Sequence, residues 1–173
     1  RIALPTADYN RVMGMHRAML NNSAMAELKK RKNIVEQSLF TSPTFKTEKK
    51  FILKARPDMY IEKGQICIDV KTGPKPEPNQ MNKHIERMKW HVQAAFYKFV
   101  MDLLDMPVKR FLFFCVERDY PHRTQVIELP KKLLNYGREL AFSALHQITE
   151  AHKTGVIETG WPDIHKAEFG WLK

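Results

Sequence analysis

The sequence predicts an α/β domain in which a mixed β-sheet is flanked by helices. Three observations carry that expectation. Apolar residues alternate at period two through residues 34–71. They step by three and four through residues 80–104, the spacing of one helix face. Residues 110–116 are almost continuously apolar, and an alternating segment and a second helical pattern follow them. At 173 residues the chain has room for one domain with a substantial core.

In chain order, Thr6 and Asp8 are candidate N-caps of a first helix ending near Asn21 or Asn22, with Val12, Met15 and Met19 on its inner face. Ser23 is a candidate cap for a short second helix reaching Leu28. Strands are expected at 36–40, 49–58 and 65–71. Ser42-Pro43 breaks the first pair, and Glu62-Lys63-Gly64 turns the second as a hairpin. In the third strand Ile66, Ile68 and Val70 share one face, while Gln65, Cys67, Asp69 and Lys71 share the other. Residues 72–79 hold three prolines and a glycine and are expected to form a loop. One helix over 80–104 buries Met81, Ile85, Met88, Val92, Ala95, Phe99 and Leu103, and Pro107 stops it. A buried strand over 110–116 pairs with 125–129, and Pro130 opens a last helix to about Ala151. Residues 155–173 read as an irregular tail.

Composition narrows the function classes. The net charge of +10 and pI near 9.6 favour a polyanionic partner, nucleic acid before an acidic membrane. No apolar run approaches a membrane span, residues 1–10 lack the apolar core of a signal peptide, and the sparse cysteines fit a reducing, cytoplasmic setting. The two cysteines, Cys67 and Cys115, lie in apolar strands and are expected to be buried thiols; two cannot by themselves make a four-cysteine zinc site or hold an iron–sulfur cluster. The seven histidines are scattered without zinc-ligand spacing. No glycine-rich phosphate loop or nucleophile elbow occurs.

The chemistry concentrates in Arg56-Pro57-Asp58, followed after ten residues by Asp69-Val70-Lys71. On adjacent arms of one hairpin, Asp58 and Asp69 can converge on a hard cation, which magnesium accepts from one or two carboxylates plus water and phosphate. Asp69 and Lys71 are two apart on a strand and so face the same way; an ammonium there can orient water or stabilise charge developing at phosphorus. Glu36 opens the first strand as a candidate third carboxylate, although its spacing alone reads as an exposed edge residue. Gln93 and Tyr97 lie one helical turn apart, in a stripe with Glu86 and Trp90. The run Lys29-Lys30-Arg31-Lys32 is either a solvated helix end or a phosphate contact.

Three segments carry a family resemblance: Lys54-Ala55-Arg56-Pro57-Asp58, Ile68-Asp69-Val70-Lys71-Thr72, and His91-Val92-Gln93-Ala94-Ala95-Phe96-Tyr97. With Asn33-Ile34-Val35-Glu36 ahead of them, the region from about Asp8 to Val116 resembles the nuclease domain of RecE-type exodeoxyribonuclease VIII. That family lies in the RecB-like branch of the PD-(D/E)xK superfamily. The resemblance implies a PD-(D/E)xK core and Mg²⁺-dependent 5′-to-3′ exonuclease action on linear double-stranded DNA, with Mn²⁺ able to replace Mg²⁺. It implies 3′ single-stranded tails for homologous recombination, a single-strand annealing partner, a homo-oligomeric ring, and a phage or prophage origin in a bacterial cell. It places the metal on Asp58, Asp69 and the Val70 carbonyl, gives Lys71 the water, and raises Glu36, Gln93 and Tyr97 to site residues. Arg56, Lys75, Lys29, Lys30 and Arg31 are then expected to meet DNA phosphates.

The family also carries an upstream G-T-x-x-H segment whose histidine joins the metal site. Nothing in this sequence matches it, and His16 falls in a later helix. The expectation is that the segment precedes Arg1 in a longer protein or that the metal site is incomplete. Two other readings stand beside the exonuclease: a DNA endonuclease on the same core, and a non-catalytic DNA-binding module with a degenerate core.

Overall fold

A computed structural model describes residues 4–43, 51–73 and 75–156. Helices α1 (Thr6–Asn21) and α2 (Ser23–Lys29) precede four short strands, β1 (Ile34–Val35), β2 (Leu39–Thr41), β3 (Leu53–Ala55) and β4 (Met59–Ile61). The long strand β5 (Ile66–Gly73) leads into α3 (Pro78–Arg87) and α4 (Trp90–Asp102). Strands β6 (Arg110–Glu117) and β7 (Thr124–Glu128) and helix α5 (Lys131–Thr154) follow.

The main sheet has five strands in the order β1-β4-β5-β6-β7, and β2 and β3 form a separate two-stranded sheet. Only β5 and β6 are parallel, with Ile66 opposite Arg110 and Gly73 opposite Glu117. A parallel pair needs a long crossover, which α3 and α4 supply. This is the expected mixed α/β architecture. β6 is buried from Phe111 through Val116, and β7 is its antiparallel neighbour, both as the sequence predicts.

The alternation in β5 divides the core in two. Ile66 and Ile68 join Met25, Leu28, Met59, Ile61, Leu112, Phe114 and Val116, with Met15, Ala18 and Met19 of α1 packed alongside. Cys67 faces the opposite way, into a cluster with Met81, Ile85, Trp90, Ala94, Phe111, Phe113 and Cys115. Both thiols are free and buried, as expected.

Several expected boundaries move. The strand over 36–40 is split: Glu36 takes a left-handed backbone conformation (φ 53°), so Ile34–Val35 pair with β4 while Leu39–Thr41 pair with β3. The strand over 49–58 is broken at Arg56-Pro57-Asp58, where proline lacks a donor for the ladder; its start at Lys49 lies outside the described residues. β5 runs two residues past Lys71 before the loop begins. The helix over 80–104 is two helices, interrupted at Met88-Lys89, where Lys89 is left-handed (φ 56°). That break re-phases the buried face. Met81, Ile85 and Ala95 are buried as expected, but Met88 and Leu103 are exposed, and Trp90, His91 and Ala94 turn inward. Val12 of α1 is also exposed. At the helix starts Pro5 rather than Thr6 or Asp8 precedes α1, and Asn22 rather than Ser23 caps α2, its side chain accepting from the Met25 N–H at 3.1 Å. Of the tail over 155–173, residues 157–173 lie outside the described residues.

Candidate active site

The site forms where β4 gives out beside β5. Their ladder ends at Met59 opposite Ile68, which leaves the Val70 N–H beyond the last strand partner. The Asp58 carboxylate takes that place and accepts the Val70 N–H through Oδ2. The kink at Pro57 therefore gives Asp58 a specific position: its side chain continues the sheet where its backbone has left it. The Asp58 carbonyl also accepts the Glu36 N–H at 3.1 Å.

Asp69 and Lys71 point to the face of the sheet covered by α4. Asp69 is almost completely buried, and Lys71 Nζ lies 2.6 Å from its Oδ2. Oδ2 is buried and meets Lys71 as a close ion pair. Gln93 of α4 closes the group: its Oε1 accepts from Lys71 Nζ at 2.7 Å, and its Nε2 donates to Asp69 Oδ1 at 3.2 Å. The Lys71 ammonium stands 5.5 Å from the Trp90 ring centroid and 5.6 Å from that of Phe113. Burial pushes the Asp69 carboxyl above the usual aspartate range; Lys71 pulls it back, and the negative charges of Asp58 and Glu36 add to the rise. Beside this group burial pushes the Cys115 thiol up to about 12, so it is inert near neutral pH.

The other predicted residues are distributed unevenly. Glu36 pairs with Arg56 at 3.2 Å, and both side chains are exposed. Among the described residues no three His, Cys, Asp or Glu side chains gather closely enough to cage a metal. Tyr97 is half-buried against the core one turn after Gln93. Lys75 is exposed and 3.7 Å from Glu77. Lys29, Lys30 and Arg31 are exposed at the end of α2, and Lys30 pairs with Glu27. Arg31 lies beside Gly64 in the β4–β5 turn, which is the opposite end of the hairpin from Asp58 and Lys71. Sequence reasoning passed over Phe113, which reads simply as core. It set Trp90 on a polar-aromatic stripe bordering the cleft, and the structure buries Trp90 beneath Lys71.

The model of a PDDEXK-like domain of unknown function (DUF3799) matches residues 6–162. The chain belongs to this family. The match covers the described core, including every residue of the Asp58–Asp69–Lys71–Gln93 group. This places the chain in the PD-(D/E)xK nuclease superfamily and leaves the RecE-type branch as the finer expectation.

Among solved structures, a protein from Eubacterium rectale named "Putative exonuclease" superposes with a TM-score of 0.71 at 10% identity. The alignment covers 96% of this chain and 65% of that one, so this chain spans about two-thirds of its length, and the likeness is one of fold. The structure named SSO0001 aligns at a TM-score of 0.43 with 15% identity, over 83% of this chain and 61% of that one. No curated protein matches the chain. Among the described residues no helix is long and apolar enough to cross a membrane.

Proposed function

We propose that this PDDEXK-like domain is a magnesium-dependent DNA nuclease that degrades linear duplex DNA from the 5′ end. The observation that carries the reading is the buried Asp69–Lys71–Gln93 group with Asp58 fastened to the neighbouring residue of the same strand. A buried carboxylate with a second carboxylate on the adjoining strand end suits a hard cation. Asp58 and Asp69 supply two carboxylates, a number that magnesium completes with water and substrate phosphate. Bound between them, the ion would neutralise phosphoryl oxygens and acidify an attacking water.

The chain's own groups do the positioning. Asp69 holds the Lys71 ammonium as an ion pair and Gln93 by a hydrogen bond, which leaves N–H to orient water or meet charge developing at phosphorus. Trp90 and Phe113 limit the other directions the side chain can take. Gln93 contacts both charged partners and so fixes their spacing. Arg56 and Lys75, both exposed, are the nearest phosphate contacts in sequence to this centre. Action from an end, 3′-tailed products, a ring of subunits and an annealing partner rest on the RecE-type resemblance.

The test is digestion of linear duplex DNA with Mg²⁺ by wild type, Asp69→Ala and Lys71→Ala. Each variant is expected to lose about 10³-fold or more in rate. Undiminished digestion by either would discard this mechanism, and cutting of covalently closed circles would favour the endonuclease. The non-catalytic reading rests on the G-T-x-x-H segment that nothing in this sequence matches. Salt-sensitive DNA binding with no Mg²⁺-dependent cleavage would support it.

A further inference from the structure

Helix α3 carries a coupled pair of hydrogen-bond donors beside the candidate centre. His84 and Arg87 are three residues apart and so are neighbours on the helix surface. An Arg87 guanidinium nitrogen lies 3.3 Å from His84 Nδ1. A guanidinium can only donate, so Nδ1 accepts. That fixes the tautomer: His84 is neutral and its proton sits on Nε2. Burial, and then the charge of Arg87, hold the imidazole below its ordinary range, which favours the same neutral form. The pair thus presents the Nε2–H, the remaining guanidinium N–H groups and one full positive charge, with no acceptor left open.

Two ring contacts set its place in the fold. The His84 and Trp90 rings lie 4.9 Å apart between centroids, and the Lys71 ammonium stands 5.5 Å from the Trp90 centroid. The His84 ring is therefore within about 10 Å of Lys71, the rise of about three nucleotides along one strand of duplex DNA. Met81 and Ile85 fasten α3 into the same cluster as Trp90 and Phe113, on the side of the main sheet that Asp69 and Lys71 face. From that floor the groups run outward, His84 half-buried and Arg87 exposed.

Basic residues in the last turn of a helix ordinarily answer its terminal carbonyls. Here the charge is also left without a counter-charge. Elsewhere on the surface cations face carboxylates: Arg110 with Glu128, Arg123 with Glu117, Lys98 with Asp102 and Lys153 with Glu150. Among the described residues no carboxylate pairs with Arg87, or with the exposed Lys83 one turn before it. Glu86, the acid of α3, adjoins Arg87 in sequence and so faces another direction. A donor-only group with a spare positive charge suits an oxyanion. On a chain of net charge +10, beside a centre read as cutting DNA, that oxyanion is a backbone phosphate.

We propose that His84 and Arg87 form a clamp for a DNA phosphate a few nucleotides from the cleaved bond. Arg87 supplies the charge, and His84 supplies a neutral, directed Nε2–H. This rests on the nuclease reading for the identity of the polyanion. Phosphates carry no base identity, so the clamp sets the register of the strand over Lys71 without selecting sequence.

The test measures binding of the full chain to fluorescein-labelled linear duplex DNA in EDTA across a salt series. Wild type is compared with Arg87→Ala, His84→Phe and Arg110→Ala. Arg110 stands opposite Ile66, at the far end of β6 from this centre, and its loss lowers the net charge equally. Arg87→Ala is expected to bind about tenfold more weakly near about 0.1 M salt and to lower the salt slope by about one. His84→Phe keeps a ring against Trp90 but removes the donor. It is expected to bind about 3- to 10-fold more weakly with the salt slope unchanged, because the lost donor is neutral. Wild-type affinity in Arg87→Ala would overturn the proposal. An equal loss in Arg110→Ala would also overturn it, reducing the effect to net charge. A lowered Tm with affinity unchanged would overturn it in favour of a helix-end role. Cleavage with Mg²⁺ by wild type and Asp69→Ala separates this contact from the chemistry. Cleavage by wild type, with binding independent of His84 and Arg87, removes the clamp alone. Binding that depends on both residues without Mg²⁺-dependent cleavage retains the clamp and removes the catalysis.

Discussion

The two faces of the main sheet are built to different standards. On one face α4 buries Trp90, His91, Ala94, Ala95, Val100 and Met101, and α5 presses close enough that Gly137 meets the backbone of His91. On the other face α1, although longer than α4, buries no residue fully, and Tyr9, Val12 and Leu20 stay exposed. The charged group of β5 points into the well-packed side. A buried carboxylate and ammonium keep their geometry only if the surrounding wall cannot relax or admit water freely, so the site sits where packing is tightest. The α1 face needs only to cover Ile66 and Ile68.

The comparison can be broken most severely at the α4–α5 crossing. Ala in place of Gly inside a helix ordinarily stabilises by about 1 kcal/mol. At Gly137 the added Cβ would lie 2.2 Å from the His91 carbonyl oxygen, and the sign reverses. Gly137→Ala is expected to cost about 3 kcal/mol, read as a lower urea midpoint; a stabilised variant would show that the two helices part easily.

Lys71→Met tests the charged group itself. It removes the cation that lowers the Asp69 pKa and leaves the acid buried. A carboxyl whose pKa is raised by folding binds more protons folded than unfolded, so stability falls as pH rises from the unfolded value toward the folded one. Without Lys71 the rise is larger and the window wider. The variant is expected to match wild type below about pH 4 and to fall about 2 to 3 kcal/mol short near neutrality. Thermal melts across pH in EDTA check this, and a deficit independent of pH would contradict it.

Trp90→Leu keeps an apolar side chain but removes one ring beneath Lys71. A loss of about tenfold in kcat with KM little changed is expected, and Trp90→Phe should restore most of it. Equal effects from both variants would reduce Trp90 to a core residue. The smallest effect belongs to the other face. Met15→Ala on α1 is expected to cost about 1 kcal/mol or less by denaturant unfolding, because the side chain is only partly buried. A cost above about 3 kcal/mol would place α1 within the core proper.

Strand β5 was legible residue by residue. Period two set Ile66 and Ile68 against Cys67, Asp69 and Lys71, and this local rule depends on nothing beyond the chain's own pleat. The pairing of Lys71 with Asp69 follows from the same rule. The breaks at Glu36 and Lys89 were not legible, because both are non-glycine residues in a left-handed conformation that no local composition announces. The re-phasing of α4 at Lys89 is what turned Trp90 inward beneath Lys71.

The sequence alone determined which side chains carry charge, which strand bears them and which way they face, since these follow from covalent spacing and backbone geometry. The tertiary structure decided what surrounds them. Asp58 reaches the Val70 N–H only because β4 ends one step early. Gln93 spans Asp69 and Lys71 because α4 packs over β5. Phe113 lies near Lys71 because β5 and β6 run parallel in one register. These contacts join residues 12 to 42 apart in the chain; they depend on the order in which the strands assemble, and no short window of sequence encodes that order.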